Sequence, residues 1–315
     1  MDDTIFSING RIVPPEEAVV PATDRGFLYG DGAFETIHAY GPKLFRLREH
    51  LARLAHAMQR LFFAPAPSPA VLARWLAEAV ATAGFPEANV RLTVSRGSGP
   101  RGPSVVGAPP RGRPAAASRD PAHRATSGFR PTVAIMATRF ARSDGRTNAG
   151  VRAVLASFRR QESAVTARLK TLNYMEQVIA RHEADLARAD EAILLNSAGL
   201  LCEGSASNIS LIRRGALAIP DPARAGALQG IAQLTAIQAA RNLGLPVALT
   251  VLSPWDLTQA DEAFLSGSMR EVTPLVRVGD APIGNGRPGP ITMRLIAEYR
   301  RIVERECAPF RYGRT

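Results

Sequence analysis

A chain of 315 residues, 46% of them hydrophobic, is long enough for one large domain or two ordinary ones and can bury a sizeable core. No stretch approaches the roughly 18 consecutive apolar residues of a membrane span, and the opening MDDTIFSING is acidic and lacks a signal-peptide core, so a cytoplasmic protein without a membrane partner is expected. The net charge of +11 would normally favour a nucleic-acid partner, but seven arginines against the single acid Asp120 between Arg96 and Arg130 supply +6 of it, and no nucleic-acid binding is expected.

Along the chain, IFSINGRIVP alternates apolar and polar residues around Asn9-Gly10, the pattern of a strand hairpin. DRGFLYGDGAFETIHAY reads as a Gly-rich turn leading into a strand. Leu47, Leu51, Leu54, Met58 and Leu61 then recur at helical spacing, and a second helix runs from the Ser68-Pro69 start to Gly84. ANVRLTVSRG follows as a strand. Residues 97–130 are rich in Pro, Gly, Ala, Ser and Arg without a period, a composition that predicts a mostly mobile connection and a domain boundary. Beyond it PTVAIMATRF and GVRAVLASF read as buried strands, NYMEQVIARHEADLARA as a helix and DEAILLN as another strand. Strand patterns continue through GLLCEGSASNISLIRRGALAIP. A helix from Gly230 to about Leu243, the strands PVALTVL and EAFLSGS, and a helix in GPITMRLIAEYRRIVERE complete the reading. The alternation predicts a mixed α/β (α+β) enzyme.

Chemistry concentrates in four places. Among 39 basic residues only two are lysines, Lys43 and Lys170. Lysine, unlike arginine, can lose its proton and attack a carbonyl, so Lys170 at a predicted strand-to-helix junction is a candidate Schiff-base residue; a surface lysine is the alternative. Gly230 opens a predicted helix, whose N-terminus suits a phosphate, although helix caps use glycine as well. Glu203 in CEGSASNIS is a single acid in an apolar strand region and needs a cationic partner, either a protonated cofactor ring nitrogen or one of the many arginines. LSGSMREVTP places small residues at a sharp turn that could hold an anion. No metal is expected, because the histidines at 38, 50, 56, 123 and 182 form no ligand pair. Cys202 and Cys307 have no metal or redox spacing and are expected as thiols.

Several stretches, in order, resemble the class IV aminotransferases, pyridoxal-phosphate enzymes of fold type IV that include branched-chain aminotransferases, D-amino-acid aminotransferases and aminodeoxychorismate lyases. They are DRGFLYGDGAFETI, LFRLREHLARL, KTLNYMEQVIA, DEAILLNSAGLLCEGSASNI, LQGIAQLTAI and FLSGSMREVTP. The resemblance implies a small N-terminal α/β domain, residues 1–130 with the arginine-rich insertion at about 103–130, and a larger C-terminal domain, residues 131–315. It makes Lys170 the catalytic Schiff-base lysine of pyridoxal 5′-phosphate, brings Tyr174 to the phenolic oxygen and pairs Glu203 with the ring nitrogen. Arg53, Gly230, Ile231, Ala232 and Ser268 would hold the phosphate, with Leu228 against the ring. Tyr29, Phe34, His38, Arg101, Met269 and Arg270 would bind substrate. Two departures stand out. Ala232 replaces a common threonine, and Pro103 stands where D-amino-acid enzymes have a histidine. The reaction implied is amino transfer between a small, branched-chain-like amino acid and a 2-oxo acid in a homodimer. Pyruvate elimination by a lyase and D-amino-acid transfer are the alternatives.

Overall fold

The Asn9-Gly10 pair makes the turn between β1 (Thr4–Ile8) and β2 (Arg11–Val13), both residues adopting positive φ, 52° and 82°. A Cβ on Gly10 would come within 2.2 Å of the Trp75 indole, so no other residue fits. A computed structural model of the chain describes residues 3–99, 102, 104, 128–142 and 149–312. After a 3-10 turn at Pro15–Glu17 come the short helix α1 (Arg25–Tyr29), β3 (Gly32–Tyr40), β4 (Lys43–Leu44) and two longer helices, α2 (Leu47–Arg60) and α3 (Pro69–Ala83). The Ser68 hydroxyl caps α3 by accepting from Val71 N at 3.3 Å, and Gly84 ends it in the left-handed conformation. Then β5 (Glu87–Ser98) and β6 (Arg130–Arg139) complete an antiparallel sheet in the order β2-β1-β6-β5-β3-β4. One face of this sheet packs under α2 and α3 through Ala33, Ile37, Leu54, Leu72, Leu76, Val90, Leu92 and Ile135.

The remaining strands are β7 (Val151–Arg160), β8 (Glu191–Asn196), β9 (Leu201–Gly204), β10 (Asn208–Arg213), β11 (Ala216–Pro220), β12 (Val247–Thr250), β13 (Glu262–Gly267), β14 (Glu271–Val278) and β15 (Ala281–Pro282). They form a nine-stranded mixed sheet in the order β12-β11-β10-β13-β14-β7-β8-β9, with β15 on β14. The helices α4 (Met175–Leu186), α5 (Pro222–Ala225), α6 (Ile231–Asn242), α7 (Pro254–Thr258) and α8 (Pro290–Glu306) belong with it. All six residues of β8 are buried, because Ile193 and Leu195 feed one apolar cluster and Ala192 and Leu194 the other. That is why EAILLN reads as an unbroken apolar run.

Two compact units result: Met1–Phe140 with Leu169–Asn173, and Ala141–Arg168 with Tyr174–Thr315. The boundary differs from the expected 130/131 because β6 pairs with β5 and β1 and so belongs to the first sheet. Lys170 is counted with the first unit, not with the second as expected. Most of the 103–130 insertion lies outside the described residues. The strand β14 was not legible, since Pro274 argues against an interior strand. It is tolerated because the ladder to β7 begins one residue later, at Leu275. Among the described residues no helix is long and apolar enough to cross a membrane.

The N-terminus of α8 lacks a local side-chain cap and is satisfied from a distance: Ile291 N and Thr292 N donate to the buried Glu262 carboxylate at 2.9 and 2.7 Å. Glu262→Ala should therefore cost about 2 to 3 kcal/mol, seen as a lower urea midpoint with an unchanged slope.

Candidate active site

Lys170 is fixed through its backbone. Phe34 N donates to Lys170 O at 2.9 Å, Leu172 N to Gly32 O at 2.9 Å, and Asn173 Nδ2 to Gly30 O at 3.0 Å. Residues 169–173 thus run beside the start of β3 as an extra short strand, with Ala33 and Thr171 bridged. The Lys170 ammonium lies 4.5 Å from the Phe34 ring centroid, and the Arg91 guanidinium lies 3.8 Å from the same centroid. A buried ring holding two cations through its π-face constrains the amine without forming a hydrogen bond to it.

Strand alternation turns Glu35, the next residue, onto the helix-covered face with Ala33 and Ile37. Its carboxylate has no solvent exposure. Arg53 on α2 donates to it twice, Nε to Oε1 at 2.8 Å and Nη2 to Oε2 at 2.6 Å, and His50, one turn earlier, meets Oε2 through Nδ1 at 2.7 Å. Burial would raise the Glu35 pKa, but the charge and hydrogen bonds of Arg53, with help from His50, bring it down to about 2. Burial also lowers the pKa of His50, against the pull of Glu35. The trio is therefore an ionised carboxylate, a cation and a neutral imidazole donating from Nδ1. Glu35 and His50 were missed as site residues, although a charge on the core-facing parity of a strand, opposite a helical His-x-x-Arg pair, is a readable signal.

Other expected substrate residues of the first unit fall in different settings. Tyr29 ends α1 and is exposed, with the Arg25 guanidinium 4.9 Å above its ring. Asp31 pins this turn by accepting from Arg25 Nε and Arg96 Nε, both at 2.8 Å, while Asp24 accepts from Gly26 N, Ser95 Oγ and Thr132 Oγ1. His38 is buried, stacked on Tyr40 at 4.0 Å with Phe140 edge-on, and its Nε2 lies 2.8 Å from a Glu87 oxygen. Arg101 lies outside the described residues.

In the second unit Glu203 sits on β9, almost fully buried. One carboxylate oxygen pairs with Arg160 Nη1 and the other accepts from Leu228 N at 2.9 Å. Burial works against the charge of Arg160, but Glu203 outweighs it and the guanidinium pKa shifts upward. Arg160 is the arginine partner that the sequence could not single out, and it keeps Glu203 an acceptor with lone pairs still to offer. Arg160 also reaches Glu176 on α4, whose N-cap is Tyr174.

The fit to a phosphate can be judged at α6. Gly230 is its N-cap, no side chain caps it and no acid lies in the first turn. A Cβ on Gly230 would meet Asn208 Oδ1 at 1.9 Å, and Asn208 Nδ2 holds Leu228 O at 2.7 Å. Ile231 and Ala232 follow, buried, with backbone N–H groups that have no intrahelical acceptor. Ser268, Met269 and Arg270 form the half-buried turn between β13 and β14, where Arg270 Nη2 lies 3.3 Å from the buried Glu191 carboxylate. Glu191 also accepts from Ser205 and Ser207 in the turn after Glu203. Among the described residues no group of three or more His, Cys, Asp or Glu could hold a metal.

Because the Glu35 pKa is lowered from 4.5 to about 2, its stabilisation is complete above about pH 4.5 and is lost as the pH falls toward 2. Glu35→Gln should lower unfolding free energy at neutral pH by on the order of 3 kcal/mol, and the loss should shrink as urea titrations are moved into that acid window.

The class IV amino-transferase family model matches residues 32–278. The D-alanine aminotransferase of Bacillus licheniformis is 28% identical over 300 residues, covering 95% of this chain and 97% of that one. The crystal structure of the branched-chain aminotransferase of Thermoproteus uzoniensis with norvaline is 31% identical, with a TM-score of 0.82 and 98% of each chain covered. The PLP-form of the Thermobaculum terrenum branched-chain amino acid aminotransferase is 27% identical, with a TM-score of 0.79, covering 97% of this chain and 96% of that one. With a match that spans most of its length and carries Lys170, Glu203 and the Gly230 helix start, the chain belongs to the class IV aminotransferases.

Proposed function

We propose that the protein moves the amino group of a small, branched-chain-like amino acid to a 2-oxo acid, with Lys170 as the catalytic residue. Its cofactor is pyridoxal 5′-phosphate, the group of its family. When bound, that cofactor supplies a carbonyl that takes up the amino group and a ring that accepts the electron pair released at the α-carbon. The observation that carries the reading is the setting of Lys170: an amine held by its backbone against β3 and over the buried Phe34 ring.

The chain's own residues divide the work. Lys170 Nζ would hold the cofactor and would carry a proton to and from the α-carbon of the substrate. Glu203, paired with Arg160, would accept a hydrogen bond from the ring nitrogen and so favour a proton there. The first turn of α6, with Ser268, and Arg53 provide donors for the phosphate, and Arg53 is oriented by its two bonds to Glu35. Tyr174 is assigned to the phenolic oxygen and Leu228 to the ring face. Phe34, Tyr29, Met269, Arg270 and Arg101 are assigned to the substrate. The assignment of all these residues to one cofactor comes from the family. Exposed Met175, Val178 and Ile179 on α4 support a second copy as a partner.

A second reading, D-amino-acid transfer, draws on the D-alanine aminotransferase relative, and Pro103 in place of a histidine counts against it. Incubation of the purified protein with L- and D-amino acids separates the two through loss of the protein-bound cofactor absorbance, with L-leucine, L-isoleucine or L-valine expected to act. Pyruvate release from aminodeoxychorismate, with no amino acid or amino acceptor present, would point to the lyase. Lys170→Ala should keep the folded circular dichroism and lose the borohydride-trapped adduct; an adduct found on Lys43 of the wild type would refute the assignment.

A further inference from the structure

β13 and β14 close at the Gly267–Glu271 pair, leaving Ser268, Met269 and Arg270 as the turn. Glu271 has φ 53°, in the left-handed region that favours glycine, and it is buried. A side chain in that conformation persists only where its surroundings over-determine it. Here the surroundings are explicit. Tyr312 Oη donates to Glu271 Oε1 at 2.7 Å, and Arg142 Nη1 reaches the same oxygen at 3.0 Å.

Tyr312 is itself anchored. The segment after α8 folds back so that Tyr312 N donates to Glu304 Oε1 at 3.0 Å, with Phe310 edge-on at 5.2 Å. The Arg142 and Arg300 guanidiniums lie 4.8 and 5.1 Å from the Tyr312 ring centroid. The turn is held on its other side as well, since Arg270 faces Glu191 and through it the Ser205–Ser207 turn that follows Glu203. Inside the turn Arg270 N donates to Gly267 O at 3.1 Å and Thr273 Oγ1 to Arg270 O at 3.0 Å.

We propose that Tyr312 is a positioning residue for the turn Ser268–Arg270, acting through Glu271, and that its hydroxyl sets how tightly that turn holds the carboxylate of the substrate. This rests on the reading in which Arg270 serves the substrate. Packing by the ring alone would survive loss of the oxygen, so Tyr312→Phe in the full-length holoenzyme isolates the hydroxyl. Hydrogen exchange followed by mass spectrometry should show amides of 267–271 exchanging about two- to tenfold faster, with α8 unchanged, and KM for the 2-oxo acid rising by a similar factor while kcat stays within about twofold. Adding Glu271→Gly, which removes the strain that the tether opposes, should bring the exchange of the turn back toward wild type. Unchanged exchange in the turn, or faster exchange with an unchanged KM, overturns the proposal. If the wild type turns over no amino acid, the assigned reaction has failed, and the exchange rates of the two variants then decide the tether by themselves.

Discussion

An ionised carboxylate with no solvent exposure is the constraint on which the first unit depends. Glu35 lies on the core face of β3, where an uncompensated charge would be prohibitive. Arg53 and His50 compensate it, and they can do so only with α2 in one rotational setting, since both must leave the same face one turn apart. The same carboxylate fixes strand register. A slip of one residue would expose Glu35 to the opposite face and bury Phe34 under the helices, removing the ring from Lys170. Placement of the amine thus depends on a residue that does not touch it.

This interior use of arginine changes how the composition should be understood. An excess of eleven positive charges suggests a surface made for polyanions. Yet Arg25, Arg53, Arg96 and Arg160 are largely buried, each in contact with an acid, and Arg25 and Arg96 also lie over aromatic rings. The planar guanidinium with its fixed donors suits such bidentate and stacked sites in a way that an ammonium does not. Part of the basic composition therefore works as internal framework.

The helices and most strands were legible because their signals are local. Asn9-Gly10, the Ser68 cap and the apolar stripe of α2 need no tertiary context. Lys170 stands out as a candidate for another reason, the scarcity of its residue type. What escaped depends on distant partners. Pro274 hid β14 until the ladder to β7 was seen to start beyond it. β6 falls to the first sheet by pairing, which its own composition does not encode. Glu203 was recognised as needing a cation, but choosing Arg160 among so many arginines requires β7 and β9 in place. Tyr312 and Glu271, 41 residues apart, carry no motif at all.

Residues 169–173 complete the first unit although the rest of that unit ends at Phe140. During synthesis β3 emerges long before the segment that accepts the amide of Phe34, and the intervening chain must be made and looped out before the edge is filled. A fragment ending at residue 140 would therefore expose unpaired backbone at the start of β3, beside the apolar ring of Phe34, the kind of edge that recruits other strands. Nascent chains of this protein carry that open edge until residues 169–173 have been made, and Lys170 belongs to the segment that closes it.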